Sequence, residues 1–222
     1  MSNIANNLQN ILSELNSDVT LVAVSKTKPN ADIQEAYDAG QRHFGENKVQ
    51  EMVDKWESLP KDIHWHMIGH VQTNKIKYMA PFVHLIHGCD REKVLKMVNK
   101  EAAKNDRTID VLLQVHIAEE SSKFGFDEAE LLELIESGRW SEYENVRIRG
   151  LMGMATFTDD QDQIKREFAT LKTLFDKISK SFGDAFDTLS MGMSGDYPIA
   201  LEAGSNMVRV GSAIFGARNY DA

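Results

Sequence analysis

The feature that most constrains this chain is the alternation, from one end to the other, of short apolar strand-like runs with amphipathic helical stripes. Eight strand candidates lie at 20–26, 43–46, 64–69, 84–89, 110–117, 147–154, 186–192 and 207–211. Between them apolar residues recur at helical spacing: Ile33/Ala36/Tyr37, Val49/Met52/Val53/Trp56, Ile76/Tyr78/Met79, Val94/Met97/Val98, Leu131/Leu132/Leu134/Ile135 and Phe168/Leu171/Leu174/Phe175/Ile178. Strands that alternate with helices pair in parallel through helical crossovers, and eight such units close into a (β/α)8 TIM barrel. Ile4, Leu8, Ile11, Leu12 and Leu15 form one more stripe, so an N-terminal helix is expected before the first strand. An open doubly wound sheet is the alternative, but no G-x-G-x-x-G turn follows the first strand, which weakens its dinucleotide-binding version. Asp32 with Glu35 reads as a capping box and Gly40 as a helix stop. No linker-like or low-complexity run interrupts the pattern, so residues 1–222 are expected to form a single domain.

Composition narrows the function classes. With 42% hydrophobic and 27% charged residues the chain can bury a core without staples. The single Cys89 rules out an internal disulfide framework or a polythiolate zinc site and fits a reducing compartment. The first residues lack a basic start and an apolar core region, and no later run approaches membrane-spanning length, so a cytoplasmic protein without a membrane partner is expected. A net charge of −9 argues against a nucleic-acid partner; an anionic ligand would need a local pocket. The seven histidines include His64 and His66, two apart, with His84 and His87 nearby. No carboxylate–histidine motif of zinc-site spacing accompanies them, so polar packing or hydrogen bonding at the barrel mouth is expected.

The working face of a barrel is built from the loops that follow its strands. Lys26 ends the run Leu21-Val22-Ala23-Val24-Ser25, in line with Val22 and Val24, where partial desolvation lowers an amine's pKa and makes it a nucleophile toward an aldehyde or ketone. A lysine that buries its stem and keeps its head in water is the alternative for that residue taken alone. Ser194-Gly195-Asp196-Tyr197-Pro198 after strand seven and Gly211-Ser212 after strand eight offer hydroxyl and backbone N–H donors, and barrels often hold a phosphate between those two loops. Either cluster alone would read as a tight turn; together they favour an anion. Arg209 shares a strand face with Gly211. It is either a donor to a ring nitrogen, which it would keep unprotonated, or half of a structural ion pair with Glu46.

A strand-one lysine, a strand-eight arginine and phosphate donors after strands seven and eight describe a pyridoxal 5′-phosphate (PLP) site. The chain resembles the pyridoxal phosphate homeostasis proteins. The likeness runs through Val24-Ser25-Lys26-Thr27-Lys28-Pro29, Phe44-Gly45-Glu46-Asn47, His66-Met67-Ile68-Gly69 with Gln72 and Asn74-Lys75, Ser190-Met191-Gly192-Met193-Ser194 with Asp196, and Arg209-Val210-Gly211 with Ile214-Phe215-Gly216. The resemblance implies a barrel like the N-terminal domain of alanine racemase, with PLP as a Schiff base on Lys26. It also implies Arg209 at the pyridine nitrogen, Ser194, Gly211 and Ser212 at the phosphate, Asn47 near the ring and Met191 beside the cofactor or in the core. Where relatives carry Ser-Val-Asp and Val-Asn, this chain has Gly88-Cys89-Asp90 after His87, and Val115-His116.

Two functions compete within that resemblance. One is a non-enzymatic, monomeric carrier or regulator of vitamin B6 pools that passes PLP to apo-enzymes. The other is an amino-acid racemase, which needs a base on each face of the substrate's α-carbon. Lys26 serves one face, and neither Tyr197 nor Tyr220 lies in a motif that would place it opposite. The arginine also weakens the ring as an electron sink, so the carrier is the favoured reading. A third possibility is an interaction protein whose polar rim binds no cofactor.

Overall fold

All eight strand candidates form strands in the computed structural model, which describes residues 3–120 and 124–216. They are β1 (Thr20–Val24), β2 (His43–Glu46), β3 (His64–Met67), β4 (Leu85–Cys89), β5 (Ile109–Gln114), β6 (Val146–Met152), β7 (Thr188–Met193) and β8 (Met207–Val210). Every neighbouring pair is parallel, and β1 meets β8 from Thr20↔Met207 to Ala23↔Val210, so the sheet closes in sequence order. The crossovers contain α2 (Asn30–Asp38), α3 (Val49–Ser58), α4 (Ile76–Met79), α5 (Glu92–Lys104), α6 (Glu128–Glu136), α7 (Gln161–Ile178) and α8 (Tyr197–Glu202). The expected leading helix is α1 (Asn3–Glu14), and a short α9 (Ser212–Phe215) follows β8. Among the described residues no helix is long and apolar enough to cross a membrane.

Alternation along the strands sorts the core into two parts. Ala23, Phe44, Trp65, Ile86, Val111, Leu151, Leu189 and Val208 face outward and pack with the helices in the main core. Val22, Leu85, Leu112, Met152 and Met207 face inward as a separate, smaller cluster. Burying each large aliphatic side chain stabilises the fold by about 1.5–3 kcal/mol. Leu8 and Ile11 carry α1 into the outer layer, where Asn7 donates to the Ile214 carbonyl at 3.0 Å.

Two local expectations need correction. β1 ends at Val24, so Lys26 stands in a turn beyond the strand rather than on it. The Asp32/Glu35 capping box does not form: α2 starts at Asn30 behind Pro29, whose carbonyl accepts from the Asp32 and Ile33 amides, so Asp32 already lies within the first turn. A capping box forms instead on α6, between Asp127 and Glu130. Gly40 does stop α2, with Gly40 N–H on the Tyr37 carbonyl (2.9 Å) and Gln41 N–H on that of Ala36 (3.0 Å).

Candidate functional site

Lys26 is half-buried in a turn that two neighbouring elements clamp. Ser25 N–H still reaches across to the Gly45 carbonyl (3.0 Å), and Lys28 N–H closes the turn on the Ser25 carbonyl (3.0 Å). Between them Thr27 takes φ = 64°, a left-handed conformation that is an outlier for a β-branched residue. Such strain persists only where the surroundings enforce it. Here Glu51 on α3 accepts from Thr27 N–H at 2.6 Å, Lys55 on α3 donates to the Ser25 carbonyl at 2.8 Å, and Ser25 Oγ donates to Glu46 at 2.6 Å. Lys55 ties the clamp together with bonds to Glu46 (2.8 Å) and Glu51 (2.7 Å). Burial raises the Glu46 carboxyl against the pull of Lys55. Sequence reading did not find this clamp, and the four-residue spacing of Glu51 and Lys55 on one helix was its only local trace.

The loops after β7 and β8 meet beside that turn. Ser194 Oγ accepts from the Gly211 backbone N–H at 3.1 Å, which leaves the hydroxyl's own hydrogen available to a ligand. Gly211 lies flat on Val24: a Cβ there would stand 3.1 Å from the Val24 carbonyl oxygen. Ser212 is exposed and opens α9, ahead of the Ile214 and Phe215 N–H groups, which both return to the Gly211 carbonyl (2.9 Å each). Lys28 reaches across to the Phe215 carbonyl at 2.9 Å, tying the Lys26 turn to α9. Asp196 holds the β7 loop by accepting from Met193 N–H at 2.5 Å.

Arg209 lies deeper, almost fully buried, in register with Val22. It donates to Ser190 Oγ at 2.6 Å and to the Gly153 carbonyl at 3.0 Å. Burial pulls its pKa down to about 10, so it is still protonated at neutral pH. The alternative ion pair with Glu46 does not form. Strand alternation puts Glu46 on the outward face with Phe44, against Lys55, while Arg209 points into the lumen.

Asn47 is half-buried directly after β2. Its backbone is hemmed in by the next strand end, since a Cβ on Gly69 would fall 2.6 Å from the Asn47 carbonyl oxygen and one on Gly88 only 2.2 Å from that of Gly69. Three successive strand ends thus approach closely through glycines. Met191 is not brought to the mouth: it is fully buried in the main core outside the barrel wall, because Ser190 takes the inward position. Cys89 is a buried core residue whose thiol is pushed well up by burial, as expected of a small hydrophobe.

Only two of the histidines are found toward the strand ends, His70 on Asp90 (2.6 Å) and His116 on the Glu120 carbonyl (2.8 Å). The others form a chain through the lumen toward the opposite end. His87 Nδ1 lies 3.1 Å from Ser190 Oγ, His87 Nε2 lies 2.8 Å from His66 Nδ1, and His66 Nε2 lies 2.9 Å from His43 Nδ1. His64 and His84 stack on each other beside His43, with ring centroids 4.3 Å apart. Burial keeps His66 and His87 well below the usual imidazole range and His43 at about 4, so these rings are neutral at neutral pH.

The family model described as alanine racemase, N-terminal domain, matches residues 1–219. A pyridoxal phosphate homeostasis protein of Vibrio alginolyticus is 42% identical over 235 aligned positions, covering 99% of this chain and 100% of that one. The structure of PipY from Synechococcus elongatus with PLP bound aligns at a TM-score of 0.87 and 36% identity, covering 96% of this chain and 100% of that one. An alanine racemase of Clostridium difficile aligns at a TM-score of 0.80 but 16% identity, covering 99% of this chain and 58% of that one, a likeness of fold alone.

Proposed function

We propose that this chain, which belongs to the pyridoxal phosphate homeostasis proteins of the alanine racemase N-terminal domain family, holds PLP at the carboxyl end of its barrel and serves the PLP pool as a carrier or regulator. The observation that carries the reading is the junction at one rim: the Lys26 turn, Gly211 packed on Val24, and Ser194 bonded to Gly211. When bound, the cofactor supplies an aldehyde that a lysine amine can condense with, releasing water. Lys26 is the amine in this reading, and the strained, clamped turn fixes where it emerges. Ser194 donates its free hydroxyl hydrogen and Ser212 its backbone N–H to the phosphate, while Gly211 holds Ser194 Oγ with its own N–H and, lacking a side chain, lets the phosphate loop lie close on Val24. Arg209, charged and fixed by Ser190 and Gly153, donates to the ring nitrogen. Asn47 lines the ring, and Met191 supports the wall from outside.

Holding rather than turnover is supported by two features. A protonated guanidinium at the ring nitrogen prevents that nitrogen from being protonated and weakens carbanion stabilisation. The tyrosine available as a second base is turned away, since the Tyr197 hydroxyl is bonded to Glu14 on α1 in the outer layer. Tyr220 lies outside the described residues. We read the whole of 1–222 as one PLP-binding domain acting as a cytoplasmic monomer, with apo-enzymes as the recipients. The test is the near-ultraviolet and visible absorption of the purified protein titrated with PLP, for wild type and Lys26→Ala. A new band in wild type alone supports the reading, whereas no band in either, or the same band in both, overturns it.

A further inference from the structure

The end of the barrel remote from Lys26 carries a second concentration of chemistry. β2, β3 and the residue preceding β4 bring His43, His66 and His84 together, with one ring nitrogen from each lying within 4.8 Å of the others. One ring is buried, one half-buried and one at the exposed rim, so the group is anchored in the wall and reachable from outside. It faces a cavity of about 320 Å³ lined by His43, His84, Asp110, Arg149 and Asp187 among others. We propose that His43, His66 and His84 bind a transition-metal dication of the zinc class, with the fourth coordination position open to that cavity.

Ligand chemistry supports the assignment. Neutral imidazole is the ligating form and a preferred donor for zinc, copper and nickel. Two imidazole nitrogens at about 2.0–2.1 Å from a tetrahedral ion are about 3.3 Å apart. His43 Nδ1 and His66 Nε2, now 2.9 Å apart, need only part slightly, and His84 closes from the rim. Support behind the ligands is already built. With Nε2 on the metal, His66 carries its proton on Nδ1 and donates to His87 Nε2 (2.8 Å); His87 Nδ1–H then donates to Ser190 Oγ (3.1 Å). Ser190 can accept this bond as well as that from Arg209, so every link is satisfied. The one arginine lining the cavity does not repel the ion unopposed, because Arg149 is paired with Asp110 (3.1 Å) and Asp187 (2.6 Å).

The experiment is a Co²⁺ titration of the chelator-treated full chain, followed by visible d–d absorption and then by Zn²⁺ displacement, on wild type, His84→Ala, His43→Gln and a His70→Ala/His116→Ala control. Thermal melts establish that each variant is folded, and the rim position of His84 makes its variant the safest. The expected result is one saturable equivalent with a tetrahedral-type spectrum, displaced by Zn²⁺, weakened at least about tenfold in both cluster variants and unchanged in the control. The same binding is expected in Lys26→Ala, which separates this site from the PLP reading. No saturable equivalent, or binding that persists in both cluster variants, would overturn the proposal.

Discussion

The two ends of this barrel are built from different materials. At the carboxyl end the working groups are loops, and carboxylates hold them: Glu51 on Thr27 N–H, Asp196 on Met193 N–H, and Glu167 on Thr156 N–H (2.6 Å) and Thr156 Oγ (2.7 Å). At the amino end, and up through the lumen, the working groups are imidazoles on the strands or, for His84, on the residue just before one, held by one another and by Ser190. A backbone that must be kept in place by acceptors can be shaped to a ligand but depends on ionised carboxylates. Side chains standing on a closed sheet are positioned by register alone. One sequence therefore carries a shaped mouth and a rigid floor.

The sharpest way to break this comparison is Lys26→Ala. It should abolish cofactor attachment completely while leaving the thermal melt nearly unchanged, because a residue in a turn beyond β1 contributes little packing. A large loss of folding cooperativity would mean that Lys26 belongs to the scaffold.

Removing the clamp should come next. Glu51→Ala takes away the acceptor of Thr27 N–H and one partner of Lys55, and should cost about 1–3 kcal/mol in a denaturant titration. It should also slow the rate at which added PLP produces its band. A stable variant with unchanged kinetics would show that the turn holds itself.

Acid should loosen the mouth in a defined window. Burial alone would raise Glu167, but the hydrogen bonds from Thr156, Gln163 and Glu119 outweigh it and hold its carboxyl below the usual value of 4.5. Since the unfolded chain binds this proton more readily, the stabilisation is complete above about 4.5 and is lost as pH falls through the lower, folded value. Glu167→Gln should flatten that part of the stability–pH curve; an unaltered curve would contradict the role of Glu167 in holding the loop at Thr156.

Smaller effects sharpen the picture. Arg209→Gln should keep attachment but shift the absorption band, and an unshifted band would remove Arg209 from the ring nitrogen. Thr27→Gly should relieve about 1–2 kcal/mol of left-handed strain, largely offset by the glycine's loss of backbone freedom. The melt should be level or slightly higher, and a clear fall would show that the threonine side chain itself stabilises the turn.

What could be seen in the sequence follows from the same difference between the ends. The barrel was legible because a period near 3.6 alternating with a period of 2 recurs at every unit, and strand bounds such as His43–Glu46 needed no tertiary information. The meeting of strand ends at the carboxyl rim was legible too, because Lys26, Ser194 and Gly211 lie in contiguous motifs there; the cofactor roles of these residues and of Arg209 are part of the proposal. For Met191 the sequence left two places open, beside the cofactor or in the core, because a one-residue choice of face on β7 decides which side chain enters the lumen; the structure packs it in the core with Leu189. The same rule hid the Arg209–Ser190 bond and sent Glu46 outward. The histidine chain could not be read at all from spacing, since His43, His66 and His87 are separated by more than twenty residues at each step and meet only once β2, β3 and β4 are in register.

The most direct test of the account is to treat the PLP-loaded protein with borohydride, digest it, and locate the reduced adduct by peptide mass spectrometry. The account predicts a single pyridoxyl adduct on Lys26. An adduct on Lys28 or Lys75 instead, or none, would contradict the assignment of the turn after β1 as the place where the cofactor is held.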